Sequence, residues 1–294
     1  MNKIKNIARH LSLLFMLLIS SVAWGQDGIS GVYYIANNAD YDSANPNGNW
    51  YLVPAKDPQQ AHRADAYFHN EFCNKSGKGD YTGDNYGDPE QPFLTTFNTK
   101  QDNNSVWVIS KTGDYYYLIH AITGKYVVYE PPYKEAQNRK SMHLLTTANP
   151  GDNAKFEITG SGDYNFRPQN VNTGNRFFNP AGGNQNKYYG TSTYLHLGMV
   201  GLYSDNTGSS LWELEPALLP APTITYDAEA NTFTISYDLL PEGYSIRYTK
   251  DGSTPTVEGG SSTHTYDDNP VEVTGGYTVN AVVVHYGLVL TEMA

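Results

Sequence analysis

The side chains best suited to metal binding cluster in one polar stretch of the sequence. His62, His69, Glu71 and Cys73 follow one another at separations of seven, two and two residues. Zinc sites usually need four ligands at characteristic short spacings, and this series matches none of them. We therefore predict no metal site there. The lone Cys73 cannot form an internal disulfide, so we interpret it as a half-buried apolar residue.

A second set of potential ligands follows in the same stretch. Asp80, Asp84 and Asp88 recur at every fourth position of a glycine-rich run. A calcium-binding EF-hand needs acids at alternate positions and a terminal glutamate, so this spacing indicates a solvated loop instead. Because long loops on a rigid scaffold often carry recognition, residues 56–104 are a candidate contact surface.

Known catalytic motifs are missing from the sequence. It has no Gly-x-Ser-x-Gly, no His-Glu-x-x-His and no phosphate-binding loop. Glycoside hydrolysis needs two carboxylates at a fixed separation, but among 30 acidic residues some pair is expected by chance. We predict no catalytic residue, no cofactor and no enzyme activity, unless the chain is a fragment of a larger enzyme.

The overall charge excludes one class of partner. The formal net charge is −11, whereas nucleic-acid binding needs a basic surface. The same charge argues against an anionic membrane surface. The 25 tyrosines and 27 glycines favour strands and tight turns.

The N-terminus has the pattern of an export signal. Lys3, Lys5 and Arg9 precede a short apolar run over residues 11–19, and Ala23-Trp24-Gly25 offers a cleavage site before Gln26. The run is well short of the ~20 residues that span a bilayer. We predict a signal peptide over residues 1–25, no transmembrane segment, and export to the periplasm, the outer surface or the medium. No cysteine follows the cut, which argues against lipid attachment.

Short β-rich runs separated by turn residues fill the chain after the signal. They include Val32–Ile35, Trp50–Val53, Val106–Ile109, Tyr115–Ile119 and Tyr126–Tyr129. Many short strands with turn signals predict an all-β sandwich or barrel.

An internal repeat organises these runs. Residues 106–128 read VWVISKTGDYYYLIHAITGKYVV, and residues 155–178 read KFEITGSGDYNFRPQNVNTGNRFF. Trp107 aligns with Phe156, and Gly113-Asp114-Tyr115 with Gly162-Asp163-Tyr164. A diverged first copy fits residues 31–104, which makes three copies of about fifty residues each. The aromatic start recurs at Trp212, and we predict that its strand closes a ring with the start of the domain.

These motifs resemble the ricin-type β-trefoil, a lectin-like domain. The resemblance assigns residues 26–215 to a β-trefoil with a long insertion at 56–104. In ricin-type trefoils an acid and an aromatic residue hold the sugar. The acid position falls at Val53, Val128 and Asn179, and the aromatic position at Phe97, Leu145 and Gly198. No copy keeps both residues.

Two histidines fall at positions that the alignment makes equivalent. Met142-His143-Leu144 matches Leu195-His196-Leu197, and the trefoil symmetry holds such positions apart, which argues against a shared metal. The residues that we predict to contact a ligand are Asn179, Phe97 and His196.

The C-terminal part resembles the immunoglobulin-like module of chitobiases and β-hexosaminidases. The resemblance rests on Ile246-Arg247-Tyr248-Thr249-Lys250-Asp251-Gly252-Ser253-Thr254-Pro255-Thr256. It implies a proline-rich linker over 216–222 and a small β-sandwich over 223–294. Asp251-Gly252 is predicted to form a hairpin turn. The strand after Tyr286-Gly287 is shorter than in such modules, so we expect a truncated module.

Three functions fit these features. The first is a secreted, non-catalytic carbohydrate-binding or adhesion protein whose partner is a glycan or a host or cell-surface glycoprotein. The second is the N-terminal accessory region of a larger secreted glycan-degrading enzyme, and the third is a structural surface module for protein interaction. The domain pairing resembles secreted proteins of Bacteroidetes-type bacteria.

Overall fold

The structure is a computed structural model that divides into two compact units. It describes residues 28–37, 49–54, 94–97, 99–129, 142–145, 150–172, 174, 176–179, 188–191, 194–197, 200–204, 206, 208–239 and 243–294. One unit comprises residues 33–215, and the other begins at Pro216 and includes the residues before 33. The predicted signal peptide and the stretch from His62 to Asp88 lie outside the described residues. No helix within the described ranges is long and apolar enough to cross a membrane.

The first unit is built from short strands, as the β-rich runs predict. They are β1 (Gly31–Asn37), β2 (Trp50–Pro54), β3 (Leu94–Phe97), β4 (Val106–Thr112), β5 (Tyr115–His120), β6 (Tyr126–Tyr129), β7 (Met142–Leu145), β8 (Phe156–Ser161), β9 (Asp163–Pro168), β10 (Phe177–Asn179), β11 (Tyr188–Thr191), β12 (Tyr194–Leu197), β13 (Gly201–Tyr203) and β14 (Trp212–Pro216).

Six of these strands close into a ring. Strand β1 pairs with β14, β14 with β9, β9 with β8, β8 with β5, β5 with β4, and β4 with β1 again. Closure leaves none of the six with an unpaired edge along this path. The prediction that the Trp212 strand completes a closed ring is confirmed. The unit is all-β with a barrel-like sheet.

A large aromatic side chain lies at the first or second position of three ring strands, β4, β8 and β14. Trp107, Phe156 and Trp212 are fully buried, and each follows a single turn of 3-10 helix (Asp102–Ser105, Asp152–Ala154 and Gly208–Ser210). The Trp107 indole donates to the Leu52 carbonyl at 2.8 Å. The Trp212 indole donates to the Phe178 carbonyl at 3.2 Å. Each indole therefore ties a ring strand to a hairpin outside the ring.

Three hairpins outside the ring fix the correspondence between the copies. They pair β2 with β3, β6 with β7, and β10 with β13. Tyr51 lies opposite Phe97, Tyr126 opposite Leu145, and Phe177 opposite Tyr203. The aromatic position of the third copy is thus occupied by Tyr203, and not by Gly198 as the alignment predicts. Residues 94–104, placed above in the insertion, supply β3 and a 3-10 turn of the repeat.

The equivalence of the two histidines is wrong. His143 lies on β7, opposite Val128 of β6. His196 lies on β12, which forms an additional hairpin with β11 and pairs with β3 of the first copy. Strand β13 takes the place of β7 in the third copy. A Leu-x-Leu pattern is too common in strands to distinguish β12 from β13.

The second unit consists of two antiparallel sheets. One contains β15 (Thr223–Asp227), β16 (Thr232–Ser236) and β19 (Val271–Glu272). The other contains β17 (Ser245–Thr249), β18 (His264–Thr265), β20 (Asn280–His285) and β21 (Leu288–Val289). The sheets meet through buried rings, with Phe233 of β16 edge-on to Tyr248 of β17 at 5.7 Å.

Turns in this unit follow the sequence signals in part. Tyr286 and Gly287 both have positive φ, as a two-residue hairpin turn between β20 and β21 requires. Asp251-Gly252 does not form the predicted hairpin, because β17 pairs with β18 only after a long loop. The Asp251 carboxylate instead accepts from the Ser253 amide at 3.0 Å. Within the predicted linker, Leu219 is buried and its amide donates to Leu290.

Candidate functional site

Asn179 is held inside the first unit. It ends β10, its side chain is only 4% exposed, and its amide donates to the Ser210 hydroxyl at 3.4 Å. Val53 and Val128, the residues at the same position in the other copies, are also buried. All three copies therefore turn this position inward. The part of Asn179 in ligand binding stays a prediction.

Phe97 and His196 are brought together by strand pairing. Phe97 of β3 lies opposite both Tyr51 of β2 and His196 of β12, and His196 lies opposite Tyr189 of β11. Directly opposed residues of neighbouring strands lie on the same face of a sheet. We call Tyr51, Phe97, His196 and Tyr189 the Tyr51 row. The row crosses four strands and contains two of the three predicted site residues.

A polar and aromatic cluster adjoins the row at Tyr51. We call Tyr34, Asn49, Tyr51, Lys100 and Glu215 the Glu215 cluster. The Lys100 ammonium lies 2.8 Å from Glu215 Oε2, 4.1 Å from the Tyr34 ring centre and 5.2 Å from that of Tyr51. The two rings meet edge to face at 6.4 Å. An ammonium over two rings gains from both ring faces as well as from the carboxylate.

The donors of the cluster converge on one carboxylate. The Tyr51 hydroxyl donates to Glu215 Oε1 at 3.1 Å, and the Asn49 amide donates to the same oxygen at 3.3 Å. With Lys100 on Oε2, Glu215 is held from three directions. The side chains of Lys100 and Glu215 are 39% and 29% exposed, so the cluster is fixed in place and still open to solvent.

Electrostatics favour one protonation state of Tyr51 and one of Lys100. Burial, together with the charge of Glu215, raises the pKa of Tyr51, so the phenol stays protonated and donates. Burial opposes the charged form of Lys100, but the hydrogen bond and the charge of Glu215 outweigh it and raise the pKa of Lys100. The lysine is therefore a cation throughout the neutral range.

Among the described residues this complete set occurs at one place, where β14 pairs with the first strand of the first copy. Glu215 lies three positions after Trp212, and the matching positions after Trp107 and Phe156 hold Ser110 and Thr159. The second copy keeps an aromatic pair, with Tyr117 edge-on to Tyr126 at 5.2 Å. The equivalent of Tyr34 in the third copy is Asn165, whose amide donates to the Ser210 carbonyl at 2.8 Å. The acid therefore occurs at only one of the three equivalent positions.

None of the five members of the Glu215 cluster is among the site residues predicted from the sequence. The reason is distance along the chain, since Asn49 and Glu215 are 166 residues apart. One signal was present in the sequence. Two repeats hold a hydroxyl residue, Ser110 or Thr159, at the position where Glu215 lies. Among the described residues no group of His, Cys, Asp or Glu is placed to hold a metal ion.

Comparisons with known proteins give structural similarity alone. No family model matches the chain, and no curated protein matches it. A salivary protein of the mosquito Culex, from the cysteine- and tryptophan-rich family, has a TM-score of 0.40 at 12% identity, covering 66% of this chain and 99% of its own. The designed threefold-symmetric protein ThreeFoil has a TM-score of 0.38 at 12% identity, covering 63% and 99%.

A lectin is also among the similar structures. The lectin of Polyporus squamosus, bound to a human-type influenza-binding epitope, has a TM-score of 0.39 at 12% identity, covering 90% of this chain and 94% of its own. TM-scores of this size do not decide a fold. The first unit is a closed all-β ring with three hairpins because of its own strand pairing, independently of these comparisons.

Proposed function

We propose that this protein is an exported, non-catalytic carbohydrate-binding protein whose ligand occupies the Glu215 cluster. The observation that carries the proposal is the convergence of two tyrosine rings, an amide, an ammonium and a carboxylate at one partly exposed place. Small-molecule sites combine apolar and aromatic surface with a few fixed polar groups, and a sugar needs both. Its C–H face packs on a ring, while its hydroxyls need acceptors and donors.

The proposal includes an assignment for each unit. Residues 33–215 form a β-trefoil, supported by the closed ring, the three hairpins and the recurring buried aromatic. Residues 223–294 form an immunoglobulin-like module, supported by two facing sheets. The module serves as a spacer or a second contact. Residues 1–25 direct export, supported by the charge and apolar pattern of the sequence.

The test compares two equivalent tyrosines. Residues 26–294 are applied to a glycan array, and the affinity of the best glycan is measured for wild type, Tyr51→Ala and Tyr126→Ala. Tyr51 and Tyr126 occupy the same position in two copies, but only Tyr51 contacts Glu215. We expect Tyr51→Ala to weaken binding by about tenfold or more, because it removes ring contact and a donor together. Tyr126→Ala should bind as wild type.

Two results would contradict the proposal. If no glycan is bound, the protein-interaction alternative is favoured. If Tyr126→Ala weakens binding as much as Tyr51→Ala, the ligand does not occupy the Glu215 cluster. Unfolding curves of both variants, measured in parallel, separate a loss of binding from a loss of fold.

A further inference from the structure

The charges of the Glu215 cluster cancel. Lys100 supplies one positive charge, and Glu215, 2.8 Å away, supplies one negative charge. The chain as a whole has a formal net charge of −11. An anionic ligand therefore finds no unpaired cation in the cluster and approaches a protein of its own sign.

The hydrogen-bonding capacity of the cluster is of two kinds. A carboxylate offers about four acceptor positions. The contacts described for Glu215 take up three donors, from Tyr51, Asn49 and Lys100. A lysine ammonium has about three donor positions, and in the described contacts one is directed at Glu215. The cluster can thus accept one hydrogen bond and donate another at neighbouring points.

A hydroxyl group matches this pair of requirements, because it donates and accepts at the same atom. Two adjacent hydroxyls match it better, since one can face Glu215 and the other Lys100. A carboxylate or sulfate group matches it poorly. It can only accept, and it would place a second anion beside Glu215.

We propose that the Glu215 cluster selects uncharged sugars with adjacent free hydroxyls and rejects acidic sugars, and that Glu215 is the residue that sets this preference. The inference rests on the proposed function and names the ligand class of the same site. Glu215 acts by neutralising Lys100 and by repelling anions. When Glu215 loses its charge, Lys100 becomes an unpaired cation over the Tyr34 and Tyr51 rings.

The experiment uses matched glycans and a charge variant. Residues 26–294 are titrated with a neutral glycan from the array and with the same glycan carrying a terminal uronic or sialic acid. We expect the wild type to bind the neutral form about tenfold more tightly or better, because like charges at an interface oppose binding. Glu215→Gln keeps the side-chain size and removes the charge. This variant should lower the ratio of the affinity for the neutral form to that for the acidic form by about tenfold. The main cause should be tighter binding of the acidic form.

Two further measurements sharpen the result. The gain of Glu215→Gln for the acidic form should shrink as salt rises, because screening weakens an exposed charge. Lys100→Met should bind the acidic form more weakly still, since the carboxylate is then uncompensated. Glu157→Gln is the matched control. Glu157 pairs with Arg167 across β8 and β9, outside the cluster, and its loss should leave the ratio unchanged.

The outcomes separate this inference from the function on which it rests. Absence of binding to every glycan overturns both. If the wild type binds acidic glycans as well as neutral ones, carbohydrate binding stands and the preference is disproved. If the ratio is the same in Glu215→Gln and in wild type, Glu215 does not set it.

Discussion

The His120 side chain lies in the core of the first unit. It is buried beside the Trp107 ring, with ring centres 5.2 Å apart. Its Nδ1 lies 2.8 Å from the Thr123 hydroxyl, and its Nε2 lies 3.2 Å from the Asn104 carbonyl. A carbonyl can only accept, so Nε2 carries the proton and Nδ1 accepts from Thr123. The ring is satisfied in its neutral form.

This arrangement predicts a loss of stability in mild acid. Burial lowers the pKa of His120 from its ordinary value of 6.5 to about 4. Between these values the unfolded chain binds a proton that the folded chain does not, so stability falls as the pH decreases from 6.5 towards 4. The loss amounts to about 3 kcal/mol at most.

Urea unfolding at several pH values tests this expectation. His120→Gln should be less stable at neutral pH and should show a flatter pH dependence over that window. Gly113→Ala, which changes no titratable group of the first unit, should keep the wild-type slope. An unchanged slope in His120→Gln would contradict the assignment.

The indole hydrogen bonds provide a second test at single residues. Trp107→Phe keeps an aromatic ring, as Phe156 does naturally, but leaves the buried Leu52 carbonyl without its partner. We expect a loss of about 2–3 kcal/mol from the missing hydrogen bond and the small cavity. Tyr226→Phe, at a position 57% exposed, should change stability little. Equal effects in the two variants would show that the indole N–H contributes nothing.

For single residues, the sequence allowed some assignments and hid others. The equivalence of Trp107 and Phe156 was visible because a buried aromatic recurs beside the same turn residues. The burial of Asn179 was not visible, since the face to which a residue of a three-residue strand points depends on its partner strand. The Glu215 cluster was hidden because its members come from separate strands and loops.

The β8–β9 hairpin contains a glycine that no other residue can replace without strain. Gly160 has φ of +123°, and a Cβ there would lie 2.1 Å from the Asp163 carbonyl oxygen. Gly160→Ala should therefore destabilise the protein by about 3 kcal/mol or more, because both the dihedral angle and the backbone contact oppose a side chain.

The β4–β5 hairpin supplies the control. Gly113 also has positive φ, at +62°, but an added Cβ meets nothing within 4 Å. Gly113→Ala should cost about 1–2 kcal/mol, the ordinary cost of a left-handed alanine. Thermal or urea unfolding measures both. If the two losses are equal, the close contact at Gly160 relaxes without cost.

Most of the strands could be predicted, whereas their partners could be predicted only in part. Runs such as Val106–Ile109 are β-branched and aromatic, which specifies a strand without specifying its neighbours. The β11–β12 hairpin shows the limit. It interrupts the third copy between β10 and β13 and pairs with β3 of the first copy. The local sequence of β11 and β12 does not predict this pairing with a distant strand.

Ring closure dominates the behaviour of the first unit as a whole. Strand β14 pairs with β1 on one side and β9 on the other, so the last strand of the unit joins the first copy to the third. We expect a chain ending at residue 222 to keep cooperative unfolding and buried tryptophan fluorescence. A chain ending at residue 210 lacks Trp212 and should lose both. Cooperative unfolding of the shorter chain would show that the ring forms without β14.

The same closure has a consequence for export. Tyr34 belongs to the first strand of the ring and Glu215 to the last, so the Glu215 cluster cannot form until nearly the whole unit has been synthesised. Contacts so distant along the chain form slowly. If residues 1–25 direct export as proposed, the polypeptide would cross the membrane before β14 is free to pair. It would remain unfolded enough for a translocation channel, and the Glu215 cluster would not form inside the cell that makes it.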